Sequence, residues 1–252
     1  MQIIKVENIS KIYGTKKNTK KYTALKSISF EVNQGEFIGV MGASGSGKTT
    51  LLNILGSIDK PTNGKFIMNG KDVSTFNKNQ LAKHRMDNVG FIFQDYNLLE
   101  TMTVKENIIL PLALKGIEIK IIEEKLAALA NDLGIIEVLD KYPYEVSGGE
   151  QQRAAACRAL INNPKMILAD EPTGNLDSKS GKDLLHLLTF INTEYKATIL
   201  MVTHDVFAAS YCQKIMFIRD GEIYNELYAG SDKKQFFNSI IDVMSILGGE
   251  RK

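Results

Sequence analysis

Eight consecutive residues, Gly42-Ala43-Ser44-Gly45-Ser46-Gly47-Lys48-Thr49, satisfy the pattern G-x-x-x-x-G-K-[ST] in full. Glycines at these places let backbone N–H groups curl around phosphate oxygens without a Cβ in the way. Lys48 carries the cation that reaches β and γ phosphates, and the Thr49 hydroxyl can hold Mg²⁺. The apolar run 37–41 precedes this loop, and Thr50-Leu51-Leu52-Asn53-Ile54-Leu55 can continue it as a helix. A helix starting there adds the positive end of its dipole at the same spot. Residues Gly42 to Lys48, with Thr49 and Thr50, are therefore the expected nucleotide-binding set.

A second cluster is acidic. Met166-Ile167-Leu168-Ala169 runs straight into Asp170-Glu171. A buried strand ending in two acids presents them at the carboxyl edge of a sheet, where ligands bind in α/β folds. Downstream of a phosphate loop, Asp170 fits the role of holding Mg²⁺, directly or through its water. Glu171 fits the role of polarising an attacking water.

The elements that must position these groups follow from the pattern of apolar residues. Short β-like segments at 3–6, 30–32, 37–40 and 66–68 are separated by turn residues such as Asn33-Gln34-Gly35 and Asn69-Gly70. They predict an antiparallel element near the N-terminus. Ile122, Leu126, Leu129 and Leu133 recur at helical spacing between charges, and the flanking chain from Asp95 to Leu160 reads as mostly helical. Apolar runs then return at 166–169, 198–202 and 215–218, with a helical pattern around 184–191 between the first two. Such alternation predicts buried parallel strands. Asp220-Gly221 predicts a tight hairpin turn into residues 222–227. Phe236, Phe237, Ile240, Ile241 and Met244 form a stripe expected on a docked terminal helix.

Composition bounds the answer without naming the chemistry. The 252 residues are 44% hydrophobic and 24% charged, with a formal charge of +2, as in an ordinary globular chain rather than a disordered or fibrous one. The near-neutral balance gives no sign of a protein that binds nucleic acid through many phosphate contacts. No apolar run reaches the roughly 18–20 residues that cross a bilayer, and no signal-peptide core opens the chain. Cys157 and Cys212 have no metal-ligand spacing and read as reduced packing residues. The lysine-rich stretch Lys16 to Lys21 reads as a solvated loop.

Residues Ser147-Gly148-Gly149-Glu150-Gln151-Gln152-Arg153 resemble the signature of the ATP-binding subunits of ABC transporters, usually written LSGGQ. Val146 replaces the leading Leu, and Glu150 replaces the Gln. Further positions match in order. The resemblance implies that Tyr13 stacks on adenine, that Gln94 contacts Mg²⁺ or the water, that Asp177 belongs to the D-loop and that His204 bonds the γ-phosphate. It implies that Ser147, Gly148, Gly149 and Glu150 meet ATP held by a second copy. The implied fold class is α/β: a P-loop NTPase core of the ABC ATPase type, with an N-terminal antiparallel β element and an inserted helical subdomain. The expected organisation is one domain over 1–252, with the helical subdomain at about 95–160 and a C-terminal extension at 228–252.

The same resemblance implies an ATPase that uses ATP and Mg²⁺ and works as a head-to-tail homodimer on the cytoplasmic side of the membrane. It would power a separately encoded permease, docked around Gln94 to Asn107, and bind no nucleic acid. The stretches DEPTGNLDS (170–178) and LLETMTVKENI (98–108) are similar to the macrolide and lipoprotein-releasing subgroup. The stretch FIFQDYNLL (91–99), Lys141-Tyr142-Pro143 and the tail are similar to bacitracin and antimicrobial-peptide resistance transporters, whose permeases often work with a sensor histidine kinase. Asn175 departs from the Ala frequent in that group. A cell-division ATPase that signals without transport is the nearest different class.

Overall fold

The computed structural model describes residues 1–14 and 21–249. Apart from Lys21, the lysine-rich stretch expected as a loop lies outside the described residues. The chain opens with two antiparallel strands, β1 (Gln2–Tyr13) and β2 (Tyr22–Asn33), followed by β3 (Phe37–Met41) and α1 (Lys48–Leu55). Then come β4 (Asn63–Met68), β5 (Lys71–Asp72), α2 (Lys78–Asn88) and β6 (Val89–Phe93). Three helices follow: α3 (Val104–Ala113), α4 (Ile119–Asp132) and α5 (Gly148–Leu160). The chain returns through β7 (Met166–Asp170), α6 (Ser178–Glu194), β8 (Ile199–Val202) and α7 (Val206–Ala209). It ends in the hairpin β9 (Lys214–Arg219) and β10 (Glu222–Tyr228), and in α8 (Lys233–Gly249).

Two sheets result. One has the order β2-β1-β4-β5, and the other β10-β9-β3-β8-β7-β6. In the second, β9, β3, β8, β7 and β6 run parallel and β10 closes the edge antiparallel. Strands β3 and β8 are buried along their whole length, as strands covered on both faces must be. Alternate residues of β3 serve two cores. Phe37 and Met41 face α3–α6, while Ile38 and Val40 face α1 and the antiparallel sheet.

β1 and β2 are far longer than the segments the sequence pattern marks. Register shifts between Val6 and Ile9, and again around Lys11, break the alternation that a period-two reading needs. The region 95–160 is also less helical than expected: 95–103 is turn and irregular chain, and 133–147 is turns and short 3₁₀ segments. Ile122, Leu126, Leu129 and Leu133 are buried as their spacing requires. On α8, Phe236, Ile240 and Val243 are buried against the core, but Ile241 is 40% exposed and Phe237 half-buried, so the docked stripe is narrower than expected. Among the described residues, no helix is long and apolar enough to cross a membrane.

Candidate nucleotide site

Parallel registration brings the chemistry to one edge. Val40 of β3 is level with Val202 of β8, which is level with Asp170 of β7. Just beyond these strand ends come Gly42, Glu171 and, after Thr203, His204. Three segments far apart in sequence thus open onto one crevice at the carboxyl edge of the sheet, where open α/β folds bind ligands.

Apart from Ser46, whose N–H donates to the Ala43 carbonyl (3.2 Å), the phosphate loop is built to leave amides open at the start of α1. α1 starts at Gly47 with φ of 110°, and no side chain caps it. A Cβ at Gly47 would lie 2.6 Å from the Ala24 carbonyl oxygen, so β2 packs where a side chain would go. The Asp220-Gly221 turn, with φ of 49° and 81°, braces the loop from the other side. Gly221 N–H donates to the Ser46 carbonyl (3.0 Å), and Lys26 N–H donates to the Gly221 carbonyl (2.7 Å). Ala43, Ser44, Gly45 and Thr49 are exposed; Thr50 is half-buried. Ser46 Oγ is buried without a hydrogen-bond partner. The Lys48 ammonium folds back along the loop and donates to the carbonyls of Gly42 (2.9 Å) and Ala43 (3.0 Å). Burial pulls its pKa down, against the charges of Glu171 and Asp170.

The acidic pair divides in environment. Burial pushes the Asp170 carboxyl pKa up, helped by Glu171 and opposed by Lys48. A hard cation at this carboxylate would relieve that cost. Uncapped amides, a nearby lysine and a half-buried carboxylate therefore fit Mg²⁺ and a nucleotide phosphate. Glu171 has a left-handed φ of 46°, and its N–H donates to the Val202 carbonyl (2.9 Å). This turn carries its carboxylate to 2.9 Å from His204 Nδ1, and His204 N–H donates to the same oxygen (3.3 Å).

The other expected residues stand apart from this pair. Gln94 follows β6, and its amide donates to Asn175 Oδ1 (3.1 Å). Ser147 caps α5, but its hydroxyl donates to Glu150 (2.7 Å), which also accepts the Ser147 N–H (2.7 Å). Those hydrogen bonds hold the Glu150 carboxyl below its usual range. The hydroxyl expected to face a phosphate is therefore engaged within its own chain. Ser147, Gly149 and Glu150 line a cavity of about 390 Å³ with Lys179 and Asp183 of α6; Gly148 opens the same turn. Residues Ala43 to Ser46 line a different cavity, of about 190 Å³. Asp177 caps α6, accepting from Lys179 N–H, Ser180 N–H and the Ser180 hydroxyl. The Tyr13 hydroxyl donates to Asp59 (3.0 Å), and Lys11 Nζ lies 4.9 Å from the ring centroid.

The ABC transporter family profile matches residues 25–174, more than half of the chain. The bacitracin export ATP-binding protein BceA of Halalkalibacterium halodurans is 52% identical over 250 residues, covering 99% of this chain and 98% of that one. The macrolide export ATP-binding/permease protein MacB of Syntrophobacter fumaroxidans is 42% identical over 93% of this chain, but only 33% of MacB is covered. An ATP-binding cassette of Methanocaldococcus jannaschii, solved as a dimer in a post-hydrolysis state with ADP and Pi, superposes with a TM-score of 0.81. It is 36% identical, and the match covers 91% of this chain and all of that one. The chain belongs to the ABC transporter family.

It is an ATP-binding, ATP-hydrolysing subunit of that family, and several ties in this ABC ATPase escaped the sequence reading. Gln152 of α5 donates to the carbonyls of Phe93 (3.3 Å) and Pro172 (2.8 Å). Arg158 of α5 donates to the carbonyls of Tyr96 and Asn97, both in left-handed backbone. The signature helix is thus pinned to the segments after β6 and β7. Tyr22 reaches the Gly45 carbonyl (3.2 Å), and Asp59 joins Tyr13 to Lys11. None of these pairs is close in sequence, so no local pattern marks them.

Proposed function

We propose that this chain is the motor of a two-copy ATPase in which each crevice needs residues from both copies. The observation that carries the reading is the Glu171–His204 contact at 2.9 Å, beside Asp170 and at the strand edge that holds the phosphate loop. The phosphate groups of ATP fit the amides of residues 42–50, with Lys48 neutralising them. Thr49, Asp170 and Gln94 would hold Mg²⁺, which supplies charge neutralisation at the phosphates when bound. Glu171 takes the proton of the attacking water as general base. The His204 backbone N–H holds the Glu171 carboxylate in place, and the imidazole N–H, given to Glu171 here, would turn to the γ-phosphate when ATP is bound. Tyr13 offers its ring to the adenine. Ser147 to Glu150 close the crevice of the other copy, with Asp177 at the interface. Separate cavities for the phosphate loop and the signature, and a dimeric solved relative, support this division of labour.

The whole chain serves as one nucleotide-binding domain, with the helical lobe at 95–160 docking the permease and 228–252 as a C-terminal extension. The permease is a separate membrane chain, and the ATPase sits at its cytoplasmic face. Identity to BceA over the full length favours export of, or resistance to, a bacitracin-like peptide; a sensor histidine kinase reached through the permease is a further partner proposed for such a system. The match to MacB supports macrolide-type or lipoprotein-releasing transport as the second reading. Glu171→Gln tests the chemistry: steady-state hydrolysis falls about 10²–10⁴-fold while ATP still binds. Turnover within a few-fold of wild type would remove Glu171 from the role of base.

A further inference from the structure

Asn175 makes contacts that give it a task. Its Nδ2 donates to the Asp95 carboxylate (2.7 Å), with a longer contact to the Gln94 carbonyl (3.4 Å). A carboxylate accepts and does not donate, so the Asn175 amide has one possible orientation. Its oxygen must face Gln94, where it accepts from Nε2 at 3.1 Å. That bond in turn fixes the Gln94 amide, leaving Oε1 as the end free for another partner. Gly174 supplies the floor: a Cβ there would lie 2.9 Å from both Cδ and Nε2 of Gln94. The relay Asp95, Asn175, Gln94 spans some 80 residues of chain and joins the segment after β6 to the one after β7.

We infer that Asn175 is a positioning residue that turns the Gln94 amide oxygen, rather than its nitrogen, toward the cation. The inference rests on the reading of Gln94 as a Mg²⁺ ligand. A hard cation accepts only the oxygen end of an amide, so a flipped Gln94 would present the wrong atom. Outer partners that orient ligands this way are typically worth 10–100-fold in metal affinity. Asn175 itself is exposed, so its truncation leaves the core intact.

The test uses Mn²⁺ as a paramagnetic probe, titrated by electron paramagnetic resonance against the full chain carrying Glu171→Gln and saturated with ATP. In that background, Asn175→Ala weakens Mn²⁺ binding about 10-fold with an unchanged melting temperature. Gln94→Ala weakens it at least as much, and adding Asn175→Ala to Gln94→Ala changes nothing further. Asp95→Ala, which frees Asn175 to flip, moves affinity in the same direction by less. If Asn175→Ala leaves Mn²⁺ affinity unchanged while Gln94→Ala weakens it, the positioning role is wrong and the ligand role of Gln94 survives. Equal weakening by Asn175→Ala with and without Gln94 also overturns it. If Gln94→Ala itself has no effect, the ligand reading fails and the inference fails with it.

Discussion

Helices α1 and α5 both begin at residues expected to face phosphate, yet their first turns are built in opposite ways. α1 starts on Gly47 with no side chain to answer its amides. α5 starts on Ser147, and Glu150 three residues on completes a capping box. α2 and α3 are closed the same way, by Asn77 with Gln80 and Thr103 with Glu106, and Asp177 caps α6. A cap is worth about 1 kcal/mol. Helices α2, α3, α5 and α6 have taken that stabilisation; α4 also starts without a side-chain cap, at Glu118, but α1 forgoes its cap on the phosphate loop itself. The contrast also separates the two halves of the proposed site. The phosphate loop is open before nucleotide comes, whereas the Ser147 hydroxyl must leave Glu150 to reach a phosphate.

Lys48→Ala puts the heaviest strain on this comparison. Removing the charge beside the open amides should weaken ATP binding about 100-fold, since a charge-assisted hydrogen bond is worth up to about 3 kcal/mol. A fluorescent-nucleotide titration reads this directly, and unchanged affinity would detach α1 from phosphate binding. Gly47→Ala comes next. Its Cβ meets the Ala24 carbonyl in a left-handed backbone, so the chain should lose about 1–3 kcal/mol of stability. Denaturant unfolding checks it; a wild-type midpoint would mean that the loop repacks freely.

Ser147→Ala and Thr103→Ala then separate capping from contact. Each should lose about 1 kcal/mol, but only Ser147→Ala should reduce ATP-driven association. If Thr103→Ala reduces it equally, the signature serine is no more than a cap. The smallest effect lies behind the other end of α1, where the Ser57 hydroxyl meets His84 Nδ1 at 3.0 Å. Burial holds the His84 pKa below its ordinary 6.5. The unfolded chain therefore takes up the proton first as pH falls. This contribution to stability is complete above pH 6.5 and declines below it. His84→Gln should flatten the melting temperature across that acid range, and an unaltered slope would clear His84.

The phosphate loop and the acid pair were legible because contiguous residues specify them: glycines that a turn requires, and a buried strand that ends in acids. The β9–β10 turn was legible for the same reason, through Asp220-Gly221. Its service to the loop, Gly221 N–H on Ser46, was not, because it depends on how two distant segments meet. β1 and β2 were underread because bulges shift their registers and defeat a period-two count. The helical region was overread because the apolar residues of 133–147, such as Ile135 and Val138, are buried from turns and short 3₁₀ segments rather than from an α-helix. The Asn175–Gln94 bond was hidden because its partners lie on different strands' ends, and Asn175 stood out in sequence only as a departure.

The claim on which the rest depends is that one copy holds two incomplete half-sites. Sedimentation of Glu171→Gln at saturating ATP and Mg²⁺ tests it most directly. The account predicts a species of twice the 28.0 kDa chain mass, formed with ATP and absent without it. A chain that binds ATP and stays monomeric under those conditions would contradict it.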